Sequence, residues 1–199
     1  MTLSWFLALL MFVVVAGFTP GPNNIIAMSI GFNHGYKKAL PHVAGVTIGF
    51  PVMLILIGFI IKPIMQQYEQ LFMLLKYICI VYILYIAYHI ATEKPSIDEL
   101  SSNKKPITFL QSLAFQWINP KAWAGALTTI TVYMPKEHYA QGIYIAALLS
   151  AVTTIGAIST WAIMGREIKR FFSSQKQMRI FNVAMALLLV VSVGMMLFY

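Results

Sequence analysis

The chain has 199 residues, 59% of them hydrophobic and only 10% charged, with a mean hydropathy of +0.76 and a net charge of +8. Soluble domains carry about 25% charged residues, so this composition excludes an ordinary water-soluble fold and describes a small integral membrane protein. Its length allows about six helical spans of ~20 residues with short connections. The single cysteine, Cys79, lies in an apolar run, which excludes an intramolecular disulfide and any CxxC redox or metal motif.

Six apolar stretches follow in chain order: Leu3 to Phe32, Ala39–Ile61, Leu71–Ala91, Ile107–Tyr133, Tyr139–Met164 and Ile180–Tyr199. Backbone polar groups in hydrocarbon must pair within their own segment, so each is expected to be a helix. Met1-Thr2-Leu3-Ser4-Trp5 offers no positive region before the first stretch, so that span is expected to remain in place rather than be cleaved as a signal. Charge orients the set. Lys37, Lys38, Lys94, Lys104, Lys105, Arg166, Lys169, Arg170, Lys176 and Arg179 fall after spans one, three and five, against Lys62, Lys76 and Lys136 on the other side. Positive residues collect on the cytoplasmic side, which places both termini outside. The net charge then reflects topology and affinity for anionic lipid headgroups rather than nucleic-acid binding. Residues 166–179 mix Ile168, Phe171 and Phe172 with basic residues, and read either as a short interfacial helix or as a solvated loop.

The polar run 93–106 divides the chain into halves, about 1–92 and 107–199, within one membrane domain. Three spans in each half make the second half inverted relative to the first. Each half also opens on an interrupted helix: Thr19-Pro20-Gly21-Pro22-Asn23-Asn24 in the first, Ile118-Asn119-Pro120-Lys121 in the second. Pro22 precedes Lys37 by as many residues as Pro120 follows Lys105, which puts both breaks ~22 Å from the cytoplasmic charges, near the midplane. Paired broken helices in two inverted repeats point to a transporter's binding site. A break frees N–H groups at the start of one half-helix and carbonyls at the end of the other, so it can hold a carboxylate and an ammonium. The alternative use of such prolines is a simple kink.

Lys121 is the only charged residue between Lys105 and Lys136. An ionisable group at that depth costs at least ~2.5 kcal/mol and usually has a function. The candidate substrate-binding set is Pro20, Gly21, Pro22, Asn23, Asn24, Asn119, Pro120 and Lys121. A cargo carboxylate would lie near Lys121 or a half-helix N-terminus, and its ammonium near freed carbonyls and the amide oxygens of Asn23, Asn24 or Asn119. All six acidic residues (Glu69, Glu93, Asp98, Glu99, Glu137 and Glu167) fall in loops or at span ends, leaving Lys121 and His42 as the candidates for proton coupling. Gly45-x3-Gly49 allows close helix approach, against another span of this chain or, alternatively, across a homodimer. No pattern of metal ligands, cofactor box or catalytic motif is present, so neither a cofactor nor an enzymatic activity is expected.

At these residues the chain resembles the LysE/RhtB group of bacterial amino-acid exporters over essentially its full length. Thr19–Asn24, Gly31-x3-Gly35, Lys37-Lys38, Gly45-x3-Gly49 and Asn119-Pro120-Lys121-Ala122 carry the resemblance. Pro20–Ile26 with His34-Gly35, and Lys105–Phe109, look most like the cysteine/O-acetylserine exporter branch. Many members have an aspartate directly after Pro-Gly-Pro, where this chain has Asn23. The resemblance implies a secondary exporter of small amino acids in the bacterial inner membrane, exchanging cargo for protons. Homoserine or threonine export is the alternative within the family, and cation or metal export a more distant one that the lone Cys79 and the central lysine disfavour.

Overall fold

The structure is a computed structural model that describes residues 2–61, 81, 84–85, 87–92, 105–171 and 174–197. These residues are mostly helical, without a strand among them. Most of the third expected span, Cys79 and nearly all of the 93–106 linker lie outside them.

The first expected span is two helices, α1 (Leu3–Phe18) and α2 (Pro22–His34), set at 48° to each other. The break is shorter than the sequence motif. Pro22 already occupies the first helical position, where its missing N–H costs nothing, so Asn23 and Asn24 form the first turn of α2. Gly35, at φ 79°, turns the chain into α3 (Tyr36–Leu56), a conformation that side chains other than glycine rarely adopt. α3 accommodates Pro41 and Pro51 and ends in a π-helical turn, Ile57–Ile61.

The fourth expected span is also divided. α4 (Phe109–Phe115) starts on a reciprocal cap: Gln111 N–H donates to Thr108 Oγ1 (3.3 Å), and Thr108 N–H donates to Gln111 Oε1 (2.9 Å). α5 (Pro120–Thr128) starts on Asn119 and runs into a second π-helical turn, Thr129–Tyr133. Two long helices follow, α6 (Tyr139–Lys169) and α7 (Gln175–Leu197). Both extend past the expected bounds. Residues 166–169 are the last turn of α6 and 175–179 the first of α7, so this segment is not a separate interfacial helix. Glu167 bridges Arg166 and Arg170 there, its Oε2 2.6 Å from Arg170 Nη1. The Glu167–Arg170 pair, three residues apart, favours continued helix over a solvated loop.

α6 is the spine, packing along α1, α2 and α3; α4 and α5 rest on α3, and α7 rests on α2. Glycines set the closest crossings. A Cβ on Gly31 would collide with the Ala162 carbonyl, and one on Gly165 with the Met28 carbonyl, so α2 and α6 touch backbone to backbone. Gly45 and Gly49 lie against Phe109, Ser112, Leu113 and Gln116, so the small-x3-small face of α3 is occupied by α4 of the same chain. Phe32 and Phe181 stack between α2 and α7, their centroids 4.0 Å apart. Among the described residues, α3 with its π-helical turn and α6 are long and apolar enough to cross a membrane, and the bent pair α1–α2 is a third candidate.

Candidate functional site

The two breaks adjoin, and each leaves backbone groups that must find partners. At the end of α1 the carbonyls from residue 15 to residue 20 are all taken. Thr19 N–H donates to Val15 O (3.0 Å), and Thr19 Oγ1 donates to Ala16 O (3.0 Å). Asn24 Nδ2 reaches back to both Gly17 O (2.9 Å) and Thr19 O (2.8 Å). Trp161 Nε1 on α6 donates to Phe18 O (3.2 Å). Lys121 supplies the rest: its Nζ donates to Thr19 O (2.5 Å), Thr19 Oγ1 (3.0 Å) and Pro20 O (3.3 Å). The lysine beside the second break is therefore fixed on the first. Gly21 makes this possible, because a Cβ there would overlap the Lys121 stem.

The start of α2 differs. Gly21 is its N-cap and has no side chain to bond the Asn23 and Asn24 N–H groups. The positive end of this half-helix is thus left open. The second break is closed on both sides. Residues 116–119 tighten into bonds spanning three residues, such as Trp117 N–H to Ala114 O at 3.1 Å, and Asn119 Oδ1 accepts from Lys121 N–H at 3.1 Å. Trp123 Nε1 then donates to Trp117 O (2.9 Å).

Polar side chains link the two halves beneath the breaks. Asn23 Nδ2 donates to Gln116 Oε1 (2.9 Å), and Gln116 Nε2 donates to Ser112 O (2.8 Å). His42, fully buried, places Nδ1 2.9 Å from Ser112 Oγ and Nε2 3.0 Å from Asn23 O. It is a core group joining α2, α3 and α4.

A cavity of about 280 Å³ opens between the breaks. Of the expected residues, Gly21, Asn23, Asn24, Asn119 and Lys121 line it; Pro20, Pro22 and Pro120 shape the breaks without lining it, and His42 stands behind Asn23. The far wall was not anticipated: Thr128, Thr129, Ser150, Thr153 and Thr154 give it hydroxyls, and Gln116 an amide. Ser150-Ala-Val-Thr153-Thr154 is a polar interruption of an apolar span, and that signal was in the sequence. Among the described residues, no cluster of His, Cys, Asp or Glu could hold a metal ion.

A helical membrane protein with a polar cavity between two broken helices has the architecture of a transporter. The sequence model of the LysE type translocator family matches residues 14–199, and the chain belongs to that family. It is 31% identical over 181 residues to the "Cysteine/O-acetylserine efflux protein" of Salmonella typhimurium (strain LT2), covering 90% of each chain. It is 30% identical to the protein of the same name from Escherichia coli (strain K12), with the same coverage. No solved structure matches the chain.

Proposed function

We propose that this protein exports small zwitterionic amino acids of the cysteine and O-acetylserine kind across the bacterial inner membrane, in exchange for protons. In this reading six spans form two inverted repeats with both termini periplasmic, and the cavity between the paired breaks is the transport site. The observation that carries it is that Lys121 and the open start of α2 lie on the same cavity. A cation and two uncapped N–H groups border one cavity, and a cargo carboxylate fits between them. The relatives' names point to the cargo class, and about 280 Å³, just below the ~300–1,000 Å³ of ligand pockets, suits a small molecule. His42, tied to Asn23 and Ser112, is the proposed proton-responsive group behind the wall.

The test is efflux from proteoliposomes loaded with labelled O-acetylserine, cysteine or lysine, with and without an imposed pH gradient. Faster efflux of O-acetylserine and cysteine than of lysine, accelerated when protons are supplied on the receiving side, is the expected result. Lysine leaving faster than O-acetylserine would overturn the cargo assignment, and indifference to the gradient would overturn the coupling.

A further inference from the structure

The Lys121 ammonium has three N–H donors, and three oxygens receive them: Thr19 O, Thr19 Oγ1 and Pro20 O. All are neutral, all come from two adjacent residues, and they sit at the negative end of α1. The ammonium reaches them on a flexible four-carbon stem that belongs to the other half of the chain, and it does so at the edge of an open cavity. Nothing in this cradle is specific to lysine; its geometry suits any primary ammonium.

We propose that the Thr19–Pro20 oxygens are the subsite for the cargo's own ammonium, and that Lys121 is a tethered occupant which holds it until cargo arrives. This rests on the amino-acid export reading and deepens it. When a zwitterion enters, one ammonium replaces another on the same three oxygens, so the hydrogen bonds at the end of α1 are conserved. The displaced Lys121 then meets the cargo carboxylate at the open start of α2, a short swing of its stem away past Gly21. A simple amine offers no carboxylate. Its entry would leave two cations side by side in the cavity with no carboxylate between them, and like charges repel. The tether therefore makes the site selective for molecules that carry both charges, and it links release of the lysine to loading of the cargo.

The distinguishing consequence concerns amines that are not cargo. With the lysine stem removed or made neutral, the cradle is vacant and should accept them. The experiment measures the thermal midpoint of the purified full-length protein in detergent, with ethylammonium chloride or tetramethylammonium chloride added to the wild type, Lys121→Ala and Lys121→Met. The methionine variant keeps most of the stem's bulk and guards against a packing defect in the alanine variant. Ethylammonium should raise the midpoint of both variants by about 5 °C at a hundredfold excess over its Kd. It should leave the wild type unmoved, and tetramethylammonium, which has no N–H, should act on none of them. Adding Thr19→Val to Lys121→Met should weaken the ethylammonium response about tenfold, by removing one of three acceptors. An equal response of wild type and variants, no response in either variant, or an equal effect of tetramethylammonium would each overturn the proposal. Efflux of amino acids by the wild type is read separately in vesicles, so failure of the cradle and failure of the export reading are distinguishable.

Discussion

Replacing Gly21 by alanine isolates the contact on which the site turns. The Gly21 backbone is extended, at φ −174° and ψ 174°, which alanine adopts without strain. The substitution therefore acts through space. An added Cβ overlaps Lys121 Cδ and would stand 2.9 Å from its Nζ, so the stem must shift and its bonds to the cradle are disturbed. Hydrogen bonds to charged groups contribute ~1.5–3 kcal/mol, and an N-cap change of this kind a few tenths to ~1 kcal/mol more. In the wild-type background Gly21→Ala should lower the thermal midpoint by about 4–10 °C for a chain of this length. In a Lys121→Ala background the stem is already gone, and the same change should cost only the capping share, about 1–3 °C. The cycle of four proteins thus carries a coupling of ~1.5–3 kcal/mol. Vesicle efflux of the single variant should fall at least ~10-fold, since 1.4 kcal/mol lost at the site is one decade. Additive midpoint shifts, within the ~0.5 kcal/mol expected of independent sites, would show that Gly21 and Lys121 do not depend on each other and would refute the reasoning.

Three further outcomes are expected. His42→Gln should retain downhill efflux but lose most of its acceleration by a pH gradient, and an unchanged gradient response would remove His42 from the coupling. Ser150 is buried with an unpartnered hydroxyl on the cavity wall, so Ser150→Ala should leave stability level or raise it by ~1 kcal/mol. The same variant should lose preference for O-acetylserine over 2-aminobutyrate by about 10-fold, measured as a ratio of kcat/KM; an unaltered ratio would make Ser150 a bystander. Gly165→Ala should destabilise by ~1–3 kcal/mol because its Cβ meets the Met28 carbonyl, whereas Gly156→Ala, whose Cβ would touch only Phe18 at 3.8 Å, should be neutral or better in a thermal melt.

Much of this arrangement was legible because membrane sequences announce exceptions. A proline pair around glycine and a lone lysine stand out against uninterrupted apolar runs, and the helices divide at those places, between Phe18 and Pro22 and between Phe115 and Pro120. What the sequence could not convey was which free backbone group finds which partner. The carbonyls released by the first break were expected to wait for cargo; instead Asn24, Trp161 and Lys121 satisfy them. These donors lie 7, 143 and 102 residues away from the carbonyls they serve. Two of them arrive only through tertiary packing, which no local pattern records. The reach of Asn24 is local, but it depends on where Pro22 starts α2, and boundaries are the least legible feature of a helix. The burial of His42 was illegible for a related reason: it depends on the closeness of α4, which Gly45 and Gly49 set.

The buried histidine also carries a constraint that follows from counting hydrogens. Ser112 Oγ has one proton and two acceptors within reach, Thr108 O at 2.8 Å and His42 Nδ1 at 2.9 Å. Asn23 O, 3.0 Å from Nε2, is a carbonyl and requires that this nitrogen donate. A neutral His42 must then accept at Nδ1, which turns the Ser112 hydroxyl proton away from Thr108 O and leaves that carbonyl to the Ser112 N–H, 2.9 Å away. A protonated His42 donates at both nitrogens, and Ser112 returns to Thr108 O. The two protonation states thus differ by the swing of one hydroxyl at the start of α4, in the helix whose next turn carries Gln116 to Asn23 on the cavity wall. Ser112→Ala separates the two states: the neutral histidine loses its only donor at Nδ1, and the protonated one loses an acceptor there. If this hydroxyl reports the proton to the cavity, Ser112→Ala should reduce the gradient response of efflux as His42→Gln does, and the double variant should add nothing further. Independent, multiplicative losses in the double variant would place the two residues in separate roles.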